Sequence, residues 1–218
     1  MLEFHNVKVY DLRESVIASR NAMRLDMPEY TDEEFEKGIK RAKTLAKAGG
    51  STGHSSFRKG IRVAFDMKYT QYITKQFQRY HWFDYVSSSS MMHRITQMDF
   101  DKCCNKYVSQ DTVNRINDLV RIYNYYAEEK ISEAVFVLRN GETINAKTNA
   151  EVLYYQFMRI ISECPMGTEL FVRVTTNYEQ LATIYKQRKH HKLKEDYQAF
   201  KEMVESLPYA KELIICDE

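Results

Sequence analysis

The sequence lacks any run of about 18 apolar residues, which excludes a transmembrane helix. Its 44% hydrophobic and 28% charged fractions are those of an ordinary soluble globule. Net charge is nearly absent, +2 over 218 residues, so no global field draws the chain to nucleic acid or to a membrane. Residues 1–11 carry no signal-peptide pattern, and a cytoplasmic location is expected. Cys103, Cys104, Cys164 and Cys216 lack metal-ligand spacing, the adjacent pair cannot easily bond to itself, and all four are read as reduced thiols. His190 and His191 are neighbours that point apart, no other histidine pair has ligand spacing, and no metal is expected. Prolines number three, and Pro28, Pro165 and Pro208 each fall where a helical pattern ends. Internal repeats and low-complexity blocks are missing too.

What is present in excess is tyrosine, sixteen of them, with ten methionines. Tyrosine offers flat apolar area with a polar tip, which suits a pocket that stacks on aromatic ligands and equally an aromatic core. The length fits a single domain over residues 1–218. Residues 2–10 alternate as a strand with Leu2, Phe4, Val7 and Val9 turned inward. Helices are expected over residues 12–24 and from a Thr31/Glu34 capping box to about Ala48, followed by a flexible turn over residues 49–53. Residues 61–67 read as a strand, 69–80 and 111–127 as helices, and 134–145 as a hairpin turning at Asn140-Gly141. A second capping box, Thr148/Glu151, opens a helix ending near Pro165. A strand (169–175) and helices over 177–192 and 195–207 complete the chain. Without regular βαβ alternation the order predicts an α+β fold, a mixed or antiparallel sheet flanked by helices.

Two stretches carry chemistry. In the first, the turn Gly53-His54-Ser55-Ser56-Phe57 leads into a strand, then to Gln76, Arg79-Tyr80-His81, Asp84 and the serine run Ser87, Ser88, Ser89 and Ser90. On a continuous helix Gln76 and Arg79 share one face about 4.5 Å apart along the axis, so an amide and a guanidinium read a ring edge and a phosphate together. The serine run offers hydroxyls and N–H groups to an anion. In the second, Asn177 and Arg188 stand eleven residues apart, placing Asn177, Leu181, Ile184 and Arg188 on one helical face about 16 Å long. Asn177 is also a good N-cap. The lysines and histidines of residues 186–194 suit a solvated helix end, or a phosphate site.

These stretches, roughly residues 50–95 and 160–190, resemble the flavin-dependent thymidylate synthases, in a divergent, phage-type form. The resemblance implies FAD as cofactor, with methylenetetrahydrofolate and NADPH as co-substrates. It implies one-carbon transfer to a deoxyuridine monophosphate-type nucleotide, in a homotetramer with shared sites, with no membrane or stable nucleic-acid partner. By match, His54, Ser56, Arg79, Tyr80, His81 and Asn177 lie at the cofactor. Gln76, Arg79, Ser87, Ser88, Ser89, Arg94 and Arg188 lie at the nucleotide, and Arg188 is the ring-polarising, catalytic residue. The sequence departs from the pattern at Tyr80 and His81, at Val86 and Ser87, at Met91 and at Ile161, where the family carries other polar or cationic groups. Arg94, one turn past Met91, is the expected substitute, with Arg58, Lys59 and the 186–194 cluster as further compensating cations. The alternative is a nucleotide- or flavin-binding protein on the same fold without turnover; a nucleic-acid module is disfavoured by the near-neutral charge.

Overall fold

The computed structural model describes residues 1–49 and 53–216, so the expected turn over residues 49–53 lies mostly outside the described residues. The chain forms two compact units, one of residues 1–69, 73–88 and 171–218, the other of residues 70–72 and 89–170.

The first unit holds a four-stranded sheet. Its strands are β1 (Glu3–Tyr10), β2 (Arg62–Thr70), β3 (Asp84–Ser88) and, counting ahead in chain order, β6 (Glu169–Asn177). The order across the sheet is β1-β2-β6-β3, with β1 antiparallel to β2 and β3 antiparallel to β6. β2 lies inside the sheet, and Val63, Phe65, Met67 and Tyr69 are all buried. Helices α1 (Leu12–Ala18), α2 (Asp32–Lys47), α3 (Gln71–Phe77), α8 (Tyr178–Arg188) and α9 (Lys194–Glu205) complete the unit, apart from the first residues of α3. An aromatic cluster binds sheet to helices. Phe77 stacks on Phe83 at 4.6 Å between ring centres, Phe4 meets Phe65 edge-on at 5.3 Å, and Phe200 closes on both Phe4 and Phe77. Each buried phenyl ring contributes about 1.5–3 kcal/mol, and each well-placed ring pair about 0.5–1.5 kcal/mol more.

The second unit contains short helices α4 (Met91–Arg94) and α5 (Phe100–Cys103), long helices α6 (Gln110–Glu128) and α7 (Asn149–Glu163), and the hairpin β4 (Ala134–Val137) and β5 (Thr143–Ala146). Its core joins Phe100, Val113, Ile116, Val120 and Ile160. The Asn140-Gly141 turn and the Thr148/Glu151 capping box form as expected, with Gly141 at φ +86°.

The α+β expectation holds, and several local boundaries move. Val7 is exposed because Asn6 adopts φ +50° and the register slips between His5 and Lys8, breaking the alternation of β1. α1 stops at Ala18, where the Ser19 hydroxyl donates to the Val16 carbonyl and competes with helix continuation. Thr31 caps α2, but the Glu34 carboxylate is taken by Arg24 and does not complete a box. The residues 69–80 divide between β2 and α3, and β3 occupies part of what the sequence offered as a polar loop.

Candidate functional site

Helix α8 is anchored at its start and open at its end. The Asn177 side chain accepts from the Gln180 N–H at 2.9 Å, so Asn177 is the N-cap, and it is buried. Leu181 and Ile184 lie wholly inside, and the Tyr178 hydroxyl donates to the Pro208 carbonyl at 2.7 Å. The inward face of the helix is therefore fixed by packing, and this fixes where Arg188 emerges on the last turn.

Arg188 is held by aromatic groups and by no acid. Its Nε donates to the Tyr80 hydroxyl at 2.9 Å, and that hydroxyl donates to Gln187 Oε1 at 3.0 Å. The guanidinium carbon lies 5.7 Å from the Tyr80 ring centre and 5.5 Å from that of Tyr197, a cation–π contact on two sides. Neither terminal nitrogen of Arg188 makes a hydrogen bond or ion pair among the described residues. By contrast Arg13, Arg24, Arg58, Arg62 and Arg173 each sit on a carboxylate. The Tyr197 hydroxyl is buried without a partner, and burial pushes its ionisation up to about 12.

Arg188 and Tyr197 line a cavity of about 350 Å³ at the turn between α8 and α9, with Tyr185, His191 and Phe200 as its aromatic surface. Lys189, His190, Lys194, Gln198 and Lys201 complete a lining that contains no carboxylate. Burial first, and the charges of Arg188 and Lys192 second, hold the His191 imidazole below its ordinary value. The cavity is thus a positive, aromatic-walled recess suited to a planar anion. Among the described residues no cluster of histidine, cysteine and carboxylate groups is placed to hold a metal ion.

His54 and Ser56 line a different recess, about 720 Å³, together with Ser19, Arg20, Arg41 and Phe57. Arg41 Nε donates to the Ser19 hydroxyl, while its Nη2 is shielded from solvent and unpartnered. Asn177 borders a third, about 300 Å³, with Lys59, Arg62, Trp82 and Asp84. Gln76 and Arg79 are not brought onto one helical face: α3 ends at Phe77, and Arg79 lies exposed in the following turn. The helix gives way to a tight turn, in which the Tyr80 N–H donates to the Phe77 carbonyl at 3.0 Å while both rings stay buried. His81 is exposed with its ring edge-on to Trp82. Ser87 and Ser88 end β3, paired opposite Arg173 and Val172. Ser89 and Arg94 belong to the second unit, Arg94 exposed at the end of α4. Arg58, considered as a spare cation, is committed to Glu179 at 2.6 Å and to the Leu213 carbonyl at 3.1 Å. Tyr197 and Gln187 were not anticipated from the sequence, and only the richness in tyrosine hinted at such a pocket.

Two solved structures of the flavin-dependent thymidylate synthase ThyX from Helicobacter pylori, each with FAD and dUMP, match this chain over nearly its whole length. One gives a TM-score of 0.60 at 14% identity over 99% of this chain and 100% of that chain. The other gives 0.61 at 14% identity over 98% of each. The fold is that of flavin-dependent thymidylate synthase. No protein-family model matches the sequence, and no curated protein matches it significantly. The likeness is therefore one of fold, at 14% residue identity.

Proposed function

We propose that the protein binds FAD and a deoxyuridine monophosphate-type nucleotide and transfers a one-carbon group to the pyrimidine, with methylenetetrahydrofolate and NADPH as co-substrates. The observation that carries this reading is Arg188, positioned by Tyr80 and Tyr197 with both terminal nitrogens uncommitted at an acid-free cavity. A guanidinium so placed donates two parallel hydrogen bonds to a ring carbonyl and stabilises the negative charge that develops there. Tyr80 is its positioning residue: the Arg188–Tyr80–Gln187 chain sets the angle of the fork before the nucleotide arrives.

The recess beside His54 fits a flavin dinucleotide in its donor chemistry. Arg20, Arg41, His54 and Ser56 offer cationic and hydroxyl donors, Phe57 and Leu45 offer apolar surface, and Arg41 Nη2 lacks a protein acceptor. Held there, FAD would carry to the pyrimidine the reducing equivalents that NADPH delivers. The remaining residues named by resemblance, Gln76, Arg79, His81, Ser87, Ser88, Ser89, Arg94 and Asn177, complete the nucleotide and cofactor contacts in a homotetramer whose sites are shared between copies. A shared site accounts for site residues that face separate recesses of one chain.

The visible absorption spectrum of the purified protein, followed by incubation with dUMP, methylenetetrahydrofolate and NADPH, tests the reading. A flavin band and a methylated or hydroxymethylated deoxyuridylate are expected. A protein that takes up neither added FAD nor dUMP sinks it, whereas uptake of both without product leaves the binding-only alternative.

A further inference from the structure

The hairpin of the second unit presents an apolar strand at a bare edge. Among the described residues β4 and β5 pair only with each other, so each has one open side. Across the turn the Leu138 N–H donates to the Glu142 carbonyl at 2.8 Å, and in an antiparallel ladder such bonds recur at every second residue. Phe136 and Ala134 therefore bond inward to β5, while the N–H and C=O groups of Val135 and Val137 face outward. The Val137 carbonyl agrees with this direction, since it accepts from the Arg159 side chain at 3.4 Å. Val135 and Val137 are 63% and 60% exposed, and β4 itself contains neither a charge nor a proline to blunt the edge. The ends of the strand are charged instead. Glu133 precedes β4 and Arg139 follows it, both exposed, and neither side chain has a partner among the described residues.

We propose that β4 pairs antiparallel with β4 of a second copy of this chain, about a two-fold axis at Phe136. In that register Val135 stands opposite the partner's Val137, which joins outward groups to outward groups, and Glu133 stands opposite the partner's Arg139. The charges select this register. Centring the pairing on Val135 or on Val137 sets Glu133 against a valine or a glycine. The β5 edge has no such match, because pairing about Ile144 or Asn145 sets Glu142 against an alanine or a threonine. The Val137 carbonyl exchanges a long, exposed bond to Arg159 for a backbone N–H. A hairpin that is marginal as two strands becomes half of a four-stranded sheet. The contact closes at two copies, since the two-fold axis uses up both β4 edges. It involves no residue assigned to the nucleotide or the cofactor, and so goes beyond the thymidylate reading without resting on it.

The test is analytical ultracentrifugation of the full-length protein without flavin or nucleotide, over about a hundredfold range of concentration. The parent is compared with Glu133→Arg, with Arg139→Glu and with an equimolar mixture of the two variants. Both positions are exposed and unpartnered, so the variants are expected to fold, and a thermal melt within a few degrees of the parent checks this. Each variant alone sets like charges opposite each other twice, and should weaken self-association about tenfold. The mixture should recover the parental association, because opposite charges face each other again in the mixed pair. Val135→Pro, which removes an outward N–H and leaves the inward ladder intact, should weaken association as well. In the parent, the Val135 and Val137 amides should gain protection from hydrogen exchange as concentration rises. Single variants that associate as the parent does, or a mixture no stronger than either variant, overturn the pairing. Val135 and Val137 amides that exchange freely at every concentration also overturn it, and leave the edge to a strand of another protein.

Discussion

Two arginines lie against opposite ends of α8, and they are solved in opposite ways. Near the first turn, Arg58 is 5% exposed, its Nε on the Glu179 carboxylate and its Nη1 on the Leu213 carbonyl, with the Ser55 hydroxyl on the other oxygen of Glu179. At the last turn, Arg188 has rings and a hydroxyl for company, and its terminal nitrogens have no acceptor. Burying a charge costs several kcal/mol unless the charge is paired, so the first arrangement is a finished one that ties three segments together. The second leaves hydrogen-bonding capacity unspent at a cavity, which a stability role does not require. Electrostatic saturation separates the structural arginine from the one available to a ligand.

That distinction is breakable by two substitutions. Arg58→Ala strands the Glu179 carboxylate and the Leu213 carbonyl, and should lower unfolding stability by about 3–5 kcal/mol, read from urea melts. Arg188→Ala should cost less in the same melts, about 1.5–3 kcal/mol for the lost bond to Tyr80, because no buried acid is left behind. It should nonetheless reduce turnover of deoxyuridylate about 10²–10³-fold, the usual loss when a donor aimed at developing charge is removed. Equal destabilisation by the two variants would erase the contrast. Near-normal turnover in Arg188→Ala would move the chemistry elsewhere.

A smaller effect sharpens the same point. Tyr80→Phe keeps the ring over Arg188 but removes the hydroxyl that joins Nε to Gln187. A hydrogen bond to a charged group is worth about 1.5–3 kcal/mol, so kcat should fall at least tenfold through a misaimed guanidinium. KM should change less than kcat, and the melting temperature should fall by no more than this one bond accounts for. A rise in KM alone would make Tyr80 a wall of the binding pocket rather than a support for Arg188.

Local chemistry was readable in the sequence where one segment decides its own conformation. Thr148 with Glu151, Asn140-Gly141 and the apolar face of α6 all formed as the sequence implies, because cap, turn and periodicity act within a few residues. Long-range competition decided the rest. Asn6 bulges β1 as its amide donates to Asp66 on β2, a carboxylate that Arg173 of β6 also holds. β3, a short polar segment with its serines exposed, is a strand only by pairing with β6. Arg188 stood out by its spacing from Asn177, but its supports Tyr80 and Tyr197 lie 108 residues before it and nine after it, separations that no periodicity joins.

The smallest effect is a pH dependence centred on His191. Its imidazole is held below the ordinary value of 6.5, chiefly by burial, with Arg188 and Lys192 adding to it. The unfolded chain then takes up a proton at higher pH than the folded one. Stability is therefore complete above about pH 6.5, falls as pH descends through the folded value, and is level below that. Carboxylates with lowered values, such as Asp66 and Glu151, act in the same direction but below their ordinary 3.8 and 4.5. Urea midpoints between pH 7.5 and 5.5 therefore isolate the histidine. His191→Gln should flatten that slope. Arg188→Ala should flatten it only in part, because burial outweighs the neighbouring charge. An unchanged slope in His191→Gln would show that this imidazole is not the source of the pH dependence.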